Sequence, residues 1–139
     1  MAQHPSAQTD RFVHDRLPPP DQWPELRYDL PELQALPEQL NVVQALFERA
    51  LLNGHAERPF LRSDERTLSY AEAHAEVNRF AHVLTQMGLQ PGNRVLLRGG
   101  NSVAMALTWL AVVQSGLIAV ATMPLLRATE LKAIIDKSR

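Results

Sequence analysis

Apolar residues in the central part of the chain recur with helical spacing before and after a short hairpin. A helix is predicted over 40–52, with Asn41 as its N-cap and Asn53 and Gly54 at its end. Its apolar face is formed by Val42, Val43, Leu46, Ala50 and Leu51. Residues 59–70 follow as two short strands joined by a polar turn, which predicts a hairpin.

The clearest local signal is the start of a second helix at Ser69. Ser69 and Glu72 have the spacing of a capping box, in which each side chain accepts a hydrogen bond from the other residue's backbone N–H. Ser69 is therefore explained as a cap and not as a nucleophile. Gly88 ends this helix, whose apolar face contains Tyr70, Ala73, Val77, Phe80, Ala81 and Leu84.

The rest of the chain alternates between strand and helix. The predicted elements are a strand over 94–98, a helix over 103–114, a strand over 117–122 and a helix over 129–137. With the preceding hairpin and helix, this order implies right-handed crossovers on a parallel sheet. The predicted fold class is α/β, a three-layer partial parallel sheet with helices on both faces.

Residues 1–40 form a separate, Pro-rich region that precedes residues 41–139. Its prolines prevent a long helix, so it is predicted to be an irregular arm that packs along a surface. Its apolar anchors are Trp23, Leu26, Tyr28 and Leu30.

The helix over 103–114 is apolar nearly all round, which is typical of a helix buried inside a larger protein. The sequence ends with the last predicted helix, and no strand follows it. A truncated molecule is therefore expected, with apolar surface near Trp109 that promotes self-association.

Composition excludes several classes of protein. The chain is 45% hydrophobic with a formal net charge of -1, so neither a disordered tail nor a nucleic-acid-binding surface is indicated. Cys is absent, which excludes a disulfide scaffold, a thiolate zinc site and a cysteine nucleophile, and fits a cytoplasmic location. The apolar region 103–126 is interrupted at 114–116, so no membrane span is expected.

Few residues suggest chemistry. Gly99 and Gly100 lie between a strand and a helix, where a phosphate could bind, but a tight turn is favoured because neither GxGxxG nor GxxxxGK[ST] is present. His74 and His82 are separated by about 12 Å along one helix, too far to share a metal, so no metal site is expected. Arg94 and Arg98 are interpreted as charges at the ends of a strand.

Four blocks in register resemble the AMP-forming adenylating enzymes. They are 67–72, 87–95, 101–102 and 114–124, of which the last is similar to the family's K-x-G-x-x-x-x-P-x-x-P block. Residues 12–24, and the segment that begins at Pro124, are similar to 2-aminobenzoate–CoA and benzoate–CoA ligases. The resemblance implies an enzyme that converts an acid, ATP and CoA to acyl-CoA, AMP and pyrophosphate, with Mg²⁺.

The resemblance also implies that this segment is inactive alone. The family's phosphate loop, ribose-binding acid and C-terminal lysine lie downstream of the matching blocks, so no catalytic residue is carried over and no cofactor is expected to bind here. Some relatives place a basic residue after the proline of the 114–124 block, near the CoA entrance. Leu125 holds that position, and Arg127 is the nearest candidate for a CoA contact.

Two alternatives remain open at this stage. One is a stand-alone module with flavodoxin-like topology, which would bind a ligand at the turn of Gly99 and Gly100. The other is the same family acting on a fatty acid or an amino acid.

Overall fold

A computed structural model describes residues 6–138 of the chain. The α-helices are α1 (Pro31–Gln34), α2 (Val42–Leu52), α3 (Tyr70–Gln86), α4 (Val103–Gln114) and α5 (Ala128–Ser138). The strands are β1 (Pro59–Arg62), β2 (Thr67–Ser69), β3 (Arg94–Arg98) and β4 (Ile118–Thr122).

Helix α2 begins where the sequence predicts, but its buried face is different. The Asn41 side chain accepts a hydrogen bond from the Gln44 backbone N–H, which confirms the N-cap. The predicted face is partly wrong, since Val42 is 56% exposed while Phe47 is fully buried. The residues that enter the core are Val43, Phe47 and Ala50.

Helix α3 is fixed by its start. Ser69 and Glu72 form the predicted capping box, with both reciprocal hydrogen bonds present. The backbone N–H of Ser69 donates to the Glu72 carboxylate, and this hydrogen bond is the main reason why the pKa of Glu72 lies below its ordinary value. The buried face holds Ala73, Val77 and Ala81 as predicted, and α3 packs closely on α4.

The four strands of residues 6–138 form two separate pairs. β1 and β2 are antiparallel and make the predicted hairpin, while β3 and β4 are parallel. The sequence order suggests one continuous parallel sheet that includes β2, and this part of the expectation is wrong. β2 pairs locally because a polar turn of only four residues brings it back against β1.

Helix α4 packs on one face of the β3–β4 pair and α5 lies beside the other, which confirms the α/β fold class. Successive strand residues point to opposite faces. Leu97 packs against Val112 of α4 on one face. On the other face, Leu96 and Ile135 of α5 line a common cavity.

Helix α4 is buried on one side and open on another. Leu107, Leu110, Ala111 and Val112 are buried, while Trp109 is 43% exposed. An exposed apolar surface near Trp109 is therefore present, and self-association through it stays a prediction. Within residues 6–138, no helix is both long and apolar enough to cross a membrane.

The arm does not pack as predicted. All four predicted apolar anchors are exposed, and Trp23 uses its indole N–H only to donate to the carbonyl of Pro18. The docked part of the arm lies earlier in the chain. There the backbone N–H groups of Thr9 and Asp10 both donate to the carbonyl of Pro91, at 3.0 and 2.9 Å.

Candidate functional site

The carboxyl ends of the two parallel strands meet at one edge of the sheet. Arg98 ends β3 and is paired with Thr122, which ends β4. The Thr122 hydroxyl donates across the pair to the carbonyl of Leu97 at 3.1 Å. Ligands of open α/β sheets bind outside the carboxyl ends of the strands, so the loops that follow these strand ends form the candidate site.

Arg98 holds the loop that follows β4. Its Nη2 atom donates to the carbonyls of Pro124 and Leu126, at 2.8 and 3.1 Å. Arg98 lies at the end of the strand as expected, and it makes in addition these contacts, which the sequence does not predict. No local pattern could reveal this contact, because its partners lie 26 and 28 residues further along the chain.

Arg127, the candidate for a CoA contact, lies just beyond this loop and before α5. Its backbone N–H donates to the Glu130 carboxylate at 2.7 Å, which caps the start of the helix. The Arg127 side chain is exposed and makes no hydrogen bond or ion pair with other residues among 6–138. It is therefore available to an anion that approaches this edge from solvent.

Gly99 and Gly100 differ in what surrounds them. A Cβ atom at Gly99 would lie 2.6 Å from the Cε atom of Met105, so the chain packs closely against α4 there. A Cβ atom at Gly100 would meet nothing within 4 Å. The close approach at Gly99 fits the tight-turn interpretation. The two glycines border a shallow cavity of about 360 Å³ that also reaches Arg98.

At the opposite edge of the sheet, Arg94 joins three parts of the chain. Its guanidinium pairs with the Asp10 carboxylate of the arm and donates to the carbonyl of Gly92 at 3.0 Å. Its Nε atom donates to the carbonyl of Ser138 at 2.7 Å, which fixes the end of α5. Arg94 lies at the start of the strand as expected, but its side chain is only 16% exposed and connects parts of the chain in a way that the sequence does not predict.

The arm contributes an aromatic ring to the same junction. The Arg94 guanidinium lies 4.2 Å from the centre of the Phe12 ring, and the Arg16 guanidinium lies 3.6 Å from it. Cations at these distances are attracted by the ring face. Phe12 is therefore the aromatic residue that anchors the arm.

Asp10 is held in its charged form by its donors. The backbone N–H of Phe12, the Arg94 guanidinium and the Asn93 amide hold the pKa of Asp10 below its ordinary value of 3.8. A carboxyl whose pKa is lowered on folding stabilises the folded state above its unfolded pKa. That stabilisation is lost as the pH falls through the folded-state pKa.

The contribution of Asp10 should therefore depend on pH. We expect Asp10→Asn to lower the free energy of unfolding at pH 7, and the difference from the unchanged chain to shrink once the pH falls below about 4. Urea unfolding at several pH values measures this difference. The titration of Glu72 also changes the stability with pH, but it affects both proteins equally and does not change the difference between them. A difference that stays constant down to pH 2.5 would contradict the assignment.

Polar side chains also join three helices on the arm side. The Asn41 amide donates to the carbonyl of Gln114 at 2.7 Å, and the Gln114 amide donates to the Asn78 side-chain oxygen at 2.5 Å. Within residues 6–138, the Gln114 Oε1 atom is buried and has no hydrogen-bond partner. Gln114 holds the lysine position of the resembling family block and acts here as a bridge between helices.

The histidines do not assemble a site. His74 stacks on Phe47, with ring centres 4.8 Å apart, and so contributes to the core. Among residues 6–138, no three His, Asp or Glu side chains are close enough together to hold a metal ion. His4 lies outside the described residues.

The fold is that of solved CoA ligases. An anthranilate CoA ligase in complex with anthranoyl-AMP matches with a TM-score of 0.68 and 26% identity, over 73% of this chain and 19% of that one. A benzoate–CoA ligase of Thauera aromatica is 29% identical over 104 residues, which are 74% of this chain and 20% of the relative. A mitochondrial medium-chain acyl-CoA ligase of Rattus norvegicus is 39% identical over 70 residues, which are 50% of this chain and 11% of the relative.

The sequence model of the AMP-binding enzymes matches residues 47–139. The chain therefore belongs to the AMP-binding enzyme family. The two relatives named above are CoA ligases. The chain spans only 11% and 20% of the length of the two ligases from Rattus norvegicus and Thauera aromatica.

Proposed function

We propose that the chain is the N-terminal segment of an ATP-dependent, AMP-forming aryl-CoA ligase that acts on 2-aminobenzoate or a related benzoate. In the first half-reaction the acid attacks the α-phosphate of ATP, which gives an acyl-adenylate and releases pyrophosphate. In the second, the CoA thiol attacks the adenylate to give the thioester and AMP. ATP, Mg²⁺ and CoA would be used by the full-length protein.

The observation that carries this proposal is the extent of the similarity to aromatic acid ligases. The benzoate–CoA and anthranilate CoA ligases match 74% and 73% of the chain. A second candidate, activation of a fatty acid, is favoured by a higher identity of 39% to medium-chain acyl-CoA ligase, although that match covers only half of the chain.

The role that we propose for this segment is scaffolding. The β3–β4 pair and the neighbouring helices would form one wall of the large N-terminal domain, and the docked part of the arm, near Asp10, would brace it. Arg127 is the only residue of the segment to which we assign a ligand, the anionic CoA. The catalytic groups would come from the remainder of the longer chain.

Exchange of pyrophosphate into ATP tests this function. We expect acid-dependent exchange in the full-length protein with 2-aminobenzoate or benzoate, and none in the 139-residue segment, because the segment lacks the phosphate loop of the family. Octanoate at the same concentration is the comparison acid, because it tests the fatty-acid candidate.

Each result separates the candidates. Exchange with octanoate alone would replace the aromatic assignment by the fatty-acid one. Exchange by the purified segment would contradict the scaffolding role. Absence of exchange with every acid, together with tight nucleotide binding by the segment, would favour a stand-alone binding module.

A further inference from the structure

The loop between β4 and α5 is held from both of its ends. Arg98 donates to two of its carbonyls from β3, and Glu130 accepts from the Arg127 backbone N–H within α5. Inside the loop, a single hydrogen bond from Leu126 to Met123, at 3.3 Å, closes the turn. Because this internal bond is long, the conformation of the loop depends mainly on the two outer contacts.

Most side chains of the loop are exposed, although Leu126 is half-buried. Leu125 is 89% exposed and Met123 is 66% exposed, so neither is fixed by packing. A loop with few buried side chains samples several conformations unless hydrogen bonds restrict it. Arg98 is the contact that ties this loop to the neighbouring strand, and it therefore sets the direction in which Arg127 leaves the sheet.

We propose that Arg98 is a positioning residue for CoA, acting through Arg127. The proposal rests on the proposed ligase function and adds a residue to it. The Arg98 guanidinium fixes the carbonyls of Pro124 and Leu126, so that the exposed cation of Arg127 meets the phosphates of CoA in one place. The role proposed for Arg98 is carried by its Nη2 atom, which is bonded to the loop.

An arginine suits this task better than a lysine. Its planar guanidinium presents donors in fixed directions, and one nitrogen here serves two carbonyls of the same loop. The ammonium of lysine is compact, strongly hydrated and carried on a flexible stem, so it would hold the loop less firmly. Arg98→Lys should therefore rescue only part of the effect of Arg98→Met.

The test uses the full-length enzyme and separates its two half-reactions. We expect Arg98→Met to raise the KM for CoA about tenfold, as a misplaced binding group does, while acid-dependent pyrophosphate exchange stays unchanged. Arg127→Met should raise it similarly, and the double variant should add little, because the two residues act in series. Arg62→Met, an exposed arginine of the separate β1–β2 hairpin, is the matched control and should leave the KM unchanged.

A second measurement follows the loop directly. Amide hydrogen exchange of the peptide that spans 123–127 should become faster in Arg98→Met and stay unchanged in Arg127→Met. An unchanged KM for CoA in Arg98→Met, or an equal loss in both half-reactions, would overturn the positioning role. If the unmodified enzyme shows no pyrophosphate exchange, the proposed function fails and the role of Arg98 fails with it.

Discussion

Replacing Phe47 by alanine should lower the free energy of unfolding by about 3–5 kcal/mol, the range for truncating a large buried aromatic side chain. Phe47 is fully buried where α2, the hairpin and α3 meet. Its ring lies edge-on to Phe60 at 5.3 Å and is stacked on His74. The cavity left by the substitution would remove all of these contacts together. Urea unfolding followed by circular dichroism measures the change.

The matched control lies on the same helix. Leu52 of α2 is 87% exposed, so Leu52→Ala should change the free energy of unfolding by no more than about 0.5 kcal/mol. Phe47→Leu provides an intermediate step if the alanine variant does not fold. Equal effects at positions 47 and 52 would mean that Phe47 does not lie in the core.

The second large effect is expected at Gly92. Its φ is +95°, a conformation that costs other residues about 1–2 kcal/mol. A Cβ atom there would lie 2.3 Å from the backbone carbonyl oxygen of Asp10. Gly92→Ala must therefore displace the arm, and we expect it to lose the backbone hydrogen bonds from Thr9 and Asp10 to Pro91 as well.

Two other glycines serve as controls that distinguish the cost of a positive φ from the cost of displacing the arm. Gly54 and Gly88 also have positive φ, at 72° and 81°, but a Cβ atom at either would meet nothing within 4 Å. Alanine at either position should lower the free energy of unfolding only by the cost of its positive φ. The loss in Gly92→Ala should be larger than either of these losses by at least about 1 kcal/mol. Trypsin cleavage after Arg11 and Arg16 should be accelerated in Gly92→Ala alone. Similar stability and cleavage in all three variants would contradict docking of the arm.

The features predicted correctly from the sequence are those that depend on near neighbours. The caps at Asn41 and Ser69 each involve residues three apart, so they are visible in any short window. The alternation of strands and helices after Gly88 is equally local. The family resemblance adds the class of protein, because its blocks preserve order and spacing over most of the chain.

The features that were missed depend on contacts across the fold. Arg94 and Asp10 are separated by 84 positions, and Arg98 and Pro124 by 26, so neither pairing leaves a periodic signal. Phe47 lies outside the predicted face of α2, which consists of aliphatic residues. The four predicted arm anchors are apolar, but hydrophobicity alone does not decide whether a residue is buried.

The junction at Arg94 also has a consequence for the order of events during synthesis. Asp10 leaves the ribosome long before Arg94, and at about 5–20 residues per second the delay between them is roughly 4–17 s. Throughout this time the arm has no partner at the sheet edge, and the Phe12 ring is free to contact other proteins. The end of α5, whose Ser138 carbonyl accepts from the Nε atom of the same guanidinium, arrives 44 residues later still. The segment around Asp10 and Phe12 is therefore made early and docks late.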